Sequence, residues 1–462
     1  MPEHSLWAEQ AWIDGRWQEA VLLDVDAQGC WSRIALGVHT PPGHARRLPG
    51  PVLPGLVDAH SHAFQRAFVG LSERRASESD DFWSWRERMY RVALRITPAQ
   101  MRAVAAQLYL ELLRGGYTQV CEFHYLHHTP QGHPYDDLAT MCWSLADAAG
   151  HAGIGLTLLP VLYERAGFAR PQLQDDQRRF AGTPEMVMAL VQAVRASARR
   201  HVNAGVAIHS LRAASLPAIQ SVLQQMGQDD VPIHIHVAEQ TGEVDECVKN
   251  TGARPIQYLC DTLAPDARWH LVHATHTTPR EIDAVARSGA GIVICPATEA
   301  NLGDGLTDLA LWLRCGVPMA IGSDSHVVRN WPEELRWLEY GQRLLHRKRN
   351  VAAAPGLQDA TAARLFDAAL TAGATAAGQS RWGLMPGARA DALVLDTGAP
   401  GLLGIAPSHR LDAMVFAGTE PALREVLVAG AVVLRDGRHP DQDAIGSAFV
   451  GAMRALWGDA AH

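Results

Sequence analysis

Residues 52–62 read VLPGLVDAHSH. An apolar run ends in two histidines, His60 and His62, with one serine between them. In a strand, residues i and i+2 share a face, so both imidazoles leave the end of a predicted strand on the same side. Seven further β-rich apolar runs follow: 117–125 (YTQVCEFHY), 153–163 (GIGLTLLPVLY), 203–212 (NAGVAIHSLR), 231–240 (VPIHIHVAEQ), 268–276 (RWHLVHATH), 290–299 (AGIVICPATE) and 317–326 (VPMAIGSDSH). Helical patterns separate them. The clearest is 98–114, with Thr97 as N-cap, Pro98 at the first position and Gly115–Gly116 beyond the end. Others fit 136–150, 184–200, 214–228, 279–288 and 333–347.

Apolar strands without alternation, set between helices, predict a parallel sheet covered on both faces. Eight such units predict an α/β fold, a (β/α)8 TIM-type barrel, over 51–383. The two chain ends read differently. Residues 1–50 carry short strands and turns, as in AWIDGRWQEAVLLDVD, and so do PGARADALVLD and REVLVAGAVVLRDG within 386–437. Segments 1–50 and 384–440 are therefore expected to join in a small β-sandwich domain. Residues 441–462 form a C-terminal helical segment.

Composition excludes several classes. No apolar run reaches the ~18 residues that mark a membrane span. The start, MPEHSLWAEQAW, lacks the basic and apolar regions of a signal peptide. Net charge is −8 without a basic tract, which argues against nucleic acid as a partner. Seven scattered cysteines with no CxxC argue for a reducing, cytoplasmic setting. Of the 41 Lys and Arg residues, only Lys249 and Lys348 are lysine.

Barrel chemistry collects at the C-terminal ends of the strands. Those ends carry His60-Ser61-His62, Glu122-Phe123-His124-Tyr125, His209 and Arg212, His236 and Glu239, His273 and His276, and Asp324-Ser325-His326. Imidazole and carboxylate suit a borderline divalent ion. His60 and His62 grip it together, His236 adds a third nitrogen and Asp324 an oxygen. The net positive site lowers the pKa of a bound water toward neutrality. Blander readings hold for the neighbours. His234 alternates with His236 and points away. His276 and His326 read as supports or rim residues, His124, His127 and His128 as loop or rim residues, and Cys295 as a small buried hydrophobe.

The set of HxH on the first strand, histidines on the fifth and sixth and aspartate on the eighth resembles the amidohydrolase superfamily. LPGLVDAHSH, GSDS and GLMPGARADALVLD carry the resemblance across nearly the whole chain. Some members bridge two metals with a carboxylated lysine. Neither lysine here can serve, because Lys249 falls in the helix after strand five and Lys348 beyond strand eight. HVAE, His236 to Glu239, is similar to the HxxE of mononuclear deaminases. That branch implies Glu239 as a proton shuttle and His273 acting beside the metal. One divalent ion per subunit is expected. Zinc fits best, and iron suits the same ligands. The expected reaction is hydrolytic deamination at a C=N centre. Asp324 and His273 take the water's proton, and Glu239 protonates the leaving nitrogen.

HSHAFQRAFVGL, EFHYLHH and HSLRA resemble, within that superfamily, the formimidoylglutamate deiminases of histidine degradation. The resemblance implies a small anionic substrate, N-formimino-L-glutamate, converted to N-formyl-L-glutamate and ammonia. It implies Gln65 near the formimino group, and Tyr125, His209 and Arg212 on the carboxylates. Arginine forks match a carboxylate bidentately. Arg86, on the long excursion 71–96, is the candidate second arginine, in its own or a neighbouring subunit's site; its alternative is a surface ion pair. Arg66 reads as a solvated or supporting residue. A homodimer is expected. Two alternatives stay open: a mononuclear deaminase acting on a guanine-, cytosine- or triazine-like ring, and a non-catalytic scaffold of the same fold.

Overall fold

The computed structural model describes residues 4–73, 82–419 and 422–458, with the side chains of 82–87 outside the described set. Eight parallel strands form the central sheet: Leu56–Ser61, Tyr117–His124, Gly155–Leu162, Val206–Ser210, Ile233–Val237, Trp269–His273, Gly291–Ile294 and Met319–Ile321. Every residue of the first three is buried, as a sheet covered on both faces requires. The barrel closes between the last strand and the first. Asp324 N–H donates to His60 O at 2.9 Å, and His62 N–H donates to Asp324 O at 3.4 Å. The closing seam thus runs through three of the expected metal ligands.

The first run, 52–60, divides in two. Val52–Leu53 pairs in the small sheet, Pro54–Gly55 turns the chain, and Leu56 begins the barrel. The fourth strand arrives as Val202–Ala204 and Val206–Ser210, parted at Gly205. A side chain at Gly205 would meet Pro232 O at 2.6 Å, so the neighbouring backbone demands glycine there. The seventh run stops at Ile294, because Pro296 opens the short helix Pro296–Leu302.

Helix Pro98–Arg114 has the expected bounds. Thr97 Oγ1 accepts Gln100 N–H at 3.3 Å, and Gln100 Oε1 accepts Thr97 N–H at 2.9 Å, a complete capping box. Thr97→Ala is expected to cost about 1 kcal/mol of stability, read as a lower urea midpoint with an unchanged slope. The helix expected from 136 starts at Thr140 instead. Asp137 holds the preceding turn, accepting Ala139 N–H at 2.9 Å and Trp143 Nε1–H at 2.8 Å.

Strands from both chain ends join in one eight-stranded sheet beside the barrel. Its hairpin His4–Ile13/Arg16–Val25 turns at Asp14–Gly15, both with positive φ, the two-residue turn that a DG pair favours. Leu6, Val21, Leu23, Trp31, Val52 and Val394 give this sheet its own apolar core. Hydrogen bonding is continuous from Ala431–Arg435 to Trp31–Ala35, so the expected sandwich is built from a single sheet. Helix Thr361–Ala376 ends beneath the barrel. Its last carbonyls are met by His234 Nε2 at 2.8 Å from Ala376 O, and by Thr157 and Asn203 at Ala377 O. Helix Gln442–Trp457 returns to the barrel, where Trp457 Nε1–H donates to Ala67 O at 2.8 Å. Among the described residues, no helix is long and apolar enough to cross a membrane.

Candidate active site

The strand ends bring His60, His62, His236, His273 and Asp324 together. His60 Nε2 lies 3.0 Å from His236 Nε2. Asp324 Oδ1 lies 3.4 Å from His60 Nε2 and 3.4 Å from His62 Nε2. Two triads, His60/His236/His273 and His60/His62/Asp324, each hold donor atoms within 4.8 Å of one another, and all are buried. Burial lowers His60 to about 3 and pushes His236 and His62 down as well, so these rings are neutral and free to coordinate. Burial alone would raise Asp324, but His60, His273 and His62 hold its carboxyl below the usual range. Neutral imidazoles converging on an ionised carboxylate are a donor set that fits a divalent cation. Lys249 and Lys348 are both exposed, which leaves no lysine to bridge a second ion.

The ligand-bearing backbone is clamped from behind. Asp58 accepts Ser323 N–H at 2.8 Å and Ser323 Oγ–H at 2.6 Å, which ties the first strand to the Asp324 turn. Ser323 Oγ also meets His326 Nδ1 at 2.9 Å, so His326 supports that turn. Glu122 accepts Ala63 N–H at 2.6 Å, Ser61 Oγ–H at 2.8 Å and Tyr109 OH at 3.2 Å. Phe123 O, 3.0 Å from His62 Nδ1, fixes that ring and leaves Nε2 toward Asp324. His273 and Asp324 have φ of 70° and 45°, and Ala238, before Glu239, has 55°. Left-handed backbone at three strand ends is strain of the kind that clusters at functional sites.

His273 lies between two carboxyl groups. Its Nε2 is 3.7 Å from Glu239 Oε1, and its Nδ1 is 3.3 Å from Glu299 Oε1. Burial opposes the imidazolium, but Glu239, Glu299 and Asp324 outweigh it and raise His273 to about 10. A divalent ion beside it would oppose that proton in turn. Burial raises the Glu239 carboxyl. Glu243 accepts the N–H groups of Ala238 and Glu239, each at 3.0 Å, and so holds the loop that presents Glu239.

These groups open into a cleft at the barrel mouth. Gln65, Tyr125, His209 and Arg212 all line it, with His62, His236, Glu239, His273 and Asp324. Gln65 Oε1 and Arg212 Nη1 are buried there without a hydrogen-bond partner among the described residues. Helix Phe82–Ala93 contributes Met89 and Tyr90 to the wall. Arg86 falls on that helix, but its side chain lies outside the described residues.

The flanking histidines have other work. His124, His127 and His128 are buried rather than set on a rim. His127 Nε2 meets Val161 O at 3.1 Å and His128 Nε2 meets Ala181 O at 2.8 Å, while Arg179 O accepts both backbone N–H groups. Arg66 pairs with Glu111 at 2.7 Å and covers the Phe449 ring. Sequence reasoning named Glu122 at a strand end without a role and missed Glu299, Glu243 and Asp58. Only Glu122 carried a signal, as the strand-two residue beside Phe123.

A closed parallel barrel whose rim gathers neutral imidazoles, an ionised aspartate and a histidine–glutamate pair is the framework of a metal-dependent hydrolase. The model of the amidohydrolase family matches residues 52–433, and the chain belongs to that family. It is 46% identical, over 98% of its length and 99% of the other's, to the formimidoylglutamate deiminase of Pseudomonas aeruginosa. It is 26% identical to the 5-methylthioadenosine/S-adenosylhomocysteine deaminase of Halobacterium salinarum, over 83% of this chain and 81% of that one. Among solved structures, an amidohydrolase from Brucella melitensis superposes with a TM-score of 0.93 at 42% identity, over 98% of this chain and all of the other. A zinc-bound adenosine deaminase from Xanthomonas campestris shares the fold, with a TM-score of 0.80 at 21% identity over 98% of both chains.

Proposed function

We propose that the protein hydrolyses N-formimino-L-glutamate to N-formyl-L-glutamate and ammonia. One divalent ion, zinc by preference, would be held by His60, His62, His236 and Asp324. Such an ion supplies the charge that acidifies a water and polarises the substrate. The observation that carries the substrate reading is Arg212, whose buried Nη1 has no partner among the described residues and borders the same cleft as Glu239 and His273. A buried cationic donor left open to a cleft is matched by an anionic ligand. The full-length likeness to a formimidoylglutamate deiminase supports the same ligand.

In this reading Arg212, His209 and Tyr125 take the glutamate carboxylates, and Gln65 contacts the formimino group. Arg86 is the proposed second arginine, from its own or a neighbouring subunit of a homodimer. Asp324 receives the proton of the attacking water, with His273 beside it. Glu239 delivers a proton to the imino nitrogen and takes back the hydroxyl proton as the C=O bond forms, while Asp324 returns its proton to the amino group, which leaves as ammonia.

The aromatic wall of the cleft favours a second reading, a ring deaminase. Yet Phe180 and Tyr163 are almost fully buried, and their rings pack on Tyr90, Tyr125 and His209 rather than standing open for a base. Arg212→Met tests the choice. It is expected to lower kcat/KM for N-formimino-L-glutamate by on the order of 10²-fold, as truncation of a buried charge pair does. Metal content should stay unchanged, and N-formimino-glycine, one carboxylate shorter, should lose less. Loss of the metal would make Arg212 a structural residue.

A further inference from the structure

We propose that Glu299 is a positioning residue that sets the ring of His273 for its part in the reaction. The inference rests on the role given to His273 above. His273 Nδ1 lies 3.3 Å from Glu299 Oε1, while the opposite nitrogen, Nε2, faces Glu239 Oε1 at 3.7 Å. The partner of one ring nitrogen decides what the other presents. An acceptor at Nδ1 keeps a proton there and turns Nε2 toward Glu239 and the cleft. This is the arrangement of a reactive group oriented by a second and held by a third.

Glu299 is itself fixed. It is 4% exposed, and the same Oε1 accepts Cys295 N–H at 3.1 Å. It rides on the short helix Pro296–Leu302 that follows the seventh strand. Two further contacts hold that helix, one to helix Trp331–His346 and one to the turn carrying Asp324. Ala297 N–H donates to Glu334 Oε2 at 3.0 Å, and Thr298 Oγ1 accepts Ser325 N–H at 3.2 Å. The turn carrying Asp324 and the ring of His273 are thus both referenced to one helix turn. His273 needs such a reference, because its own backbone is left-handed, at φ 70°, and its ring lies nearly parallel to that of His236.

Both donors use Oε1, so a glutamine amide oxygen can replace it without moving either partner. Glu299→Gln, Glu299→Leu and His273→Asn are compared in the metal-loaded protein. Glu299→Leu is expected to lower kcat by about 10- to 100-fold, the usual effect of removing such a supporting partner. KM and metal content should stay within about twofold. Glu299→Gln, which keeps the acceptor, should recover most of the loss, and His273→Asn should lose at least as much as the leucine variant. In histidine labelled with ¹⁵N, the His273 signals should report a proton fixed on Nδ1 in the unaltered and glutamine proteins, and mixed tautomers in the leucine variant. An unchanged kcat in Glu299→Leu beside an impaired His273→Asn would overturn the inference alone. A fully active His273→Asn would overturn it together with the role of His273. Equal losses in the glutamine and leucine variants, or loss of metal, would also overturn positioning through the hydrogen bond.

Discussion

Asp324→Asn is expected to strip most of the metal from the purified protein and to lower kcat/KM by about 10³- to 10⁴-fold, the upper range for loss of a single proton-transfer group. The carboxylate stands where two demands meet. Its Oδ1 is 3.4 Å from the Nε2 atoms of both His60 and His62, and those rings hold it ionised against burial. An amide keeps the shape and loses the charge. Metal affinity then falls because neutral imidazoles alone must hold the cation. The fold should survive. The barrel-closing bonds to His60 and His62 use only the backbone of Asp324, and asparagine tolerates its φ of 45° better than other replacements. Metal analysis beside ammonia release and a thermal melt checks all three. Activity within tenfold of the unaltered protein would remove Asp324 from the chemistry.

Glu239→Gln is expected to separate proton transfer from metal binding. Glu239 lies outside both ligand triads and meets the cluster through His273 at 3.7 Å. Its backbone is pinned by Glu243, so the glutamine should stay where the glutamate was. It cannot give up a proton. Loss of a positioned general acid costs about 10²- to 10⁴-fold, and the account places that loss in kcat, with KM and metal nearly unchanged. Parallel loss of metal would show that Glu239 is a ligand instead.

The places of these two residues at the barrel rim were legible in the sequence for a physical reason, whereas the proton-shuttle role of Glu239 came from the likeness of HVAE to the HxxE of mononuclear deaminases. Barrel strands are buried on both faces, so they stand out as continuous apolar runs, and their ends are where the rim residues sit. The spacing of His60 and His62 on one face needs no tertiary knowledge. Supporting groups leave no such trace. Glu299 is 26 residues from His273, and Ser323 is 265 from Asp58. A lone carboxylate early in a helix reads as a solvated cap. His127 and His128 read only as loop or rim residues because their partners, Val161 O, Ala181 O and Arg179 O, are backbone carbonyls. Backbone groups are present at every position and mark none. The end of the seventh strand was misplaced for a smaller reason: CPATE continues the apolar run while Pro296 starts a helix.

Ammonia release from N-formimino-L-glutamate by the zinc-loaded protein tests the central claim most directly, with guanine, cytosine and N-formimino-glycine measured beside it. The account predicts one ammonia and one N-formyl-L-glutamate per substrate, with the two rings inert. Turnover of either ring with none of N-formimino-L-glutamate would contradict it.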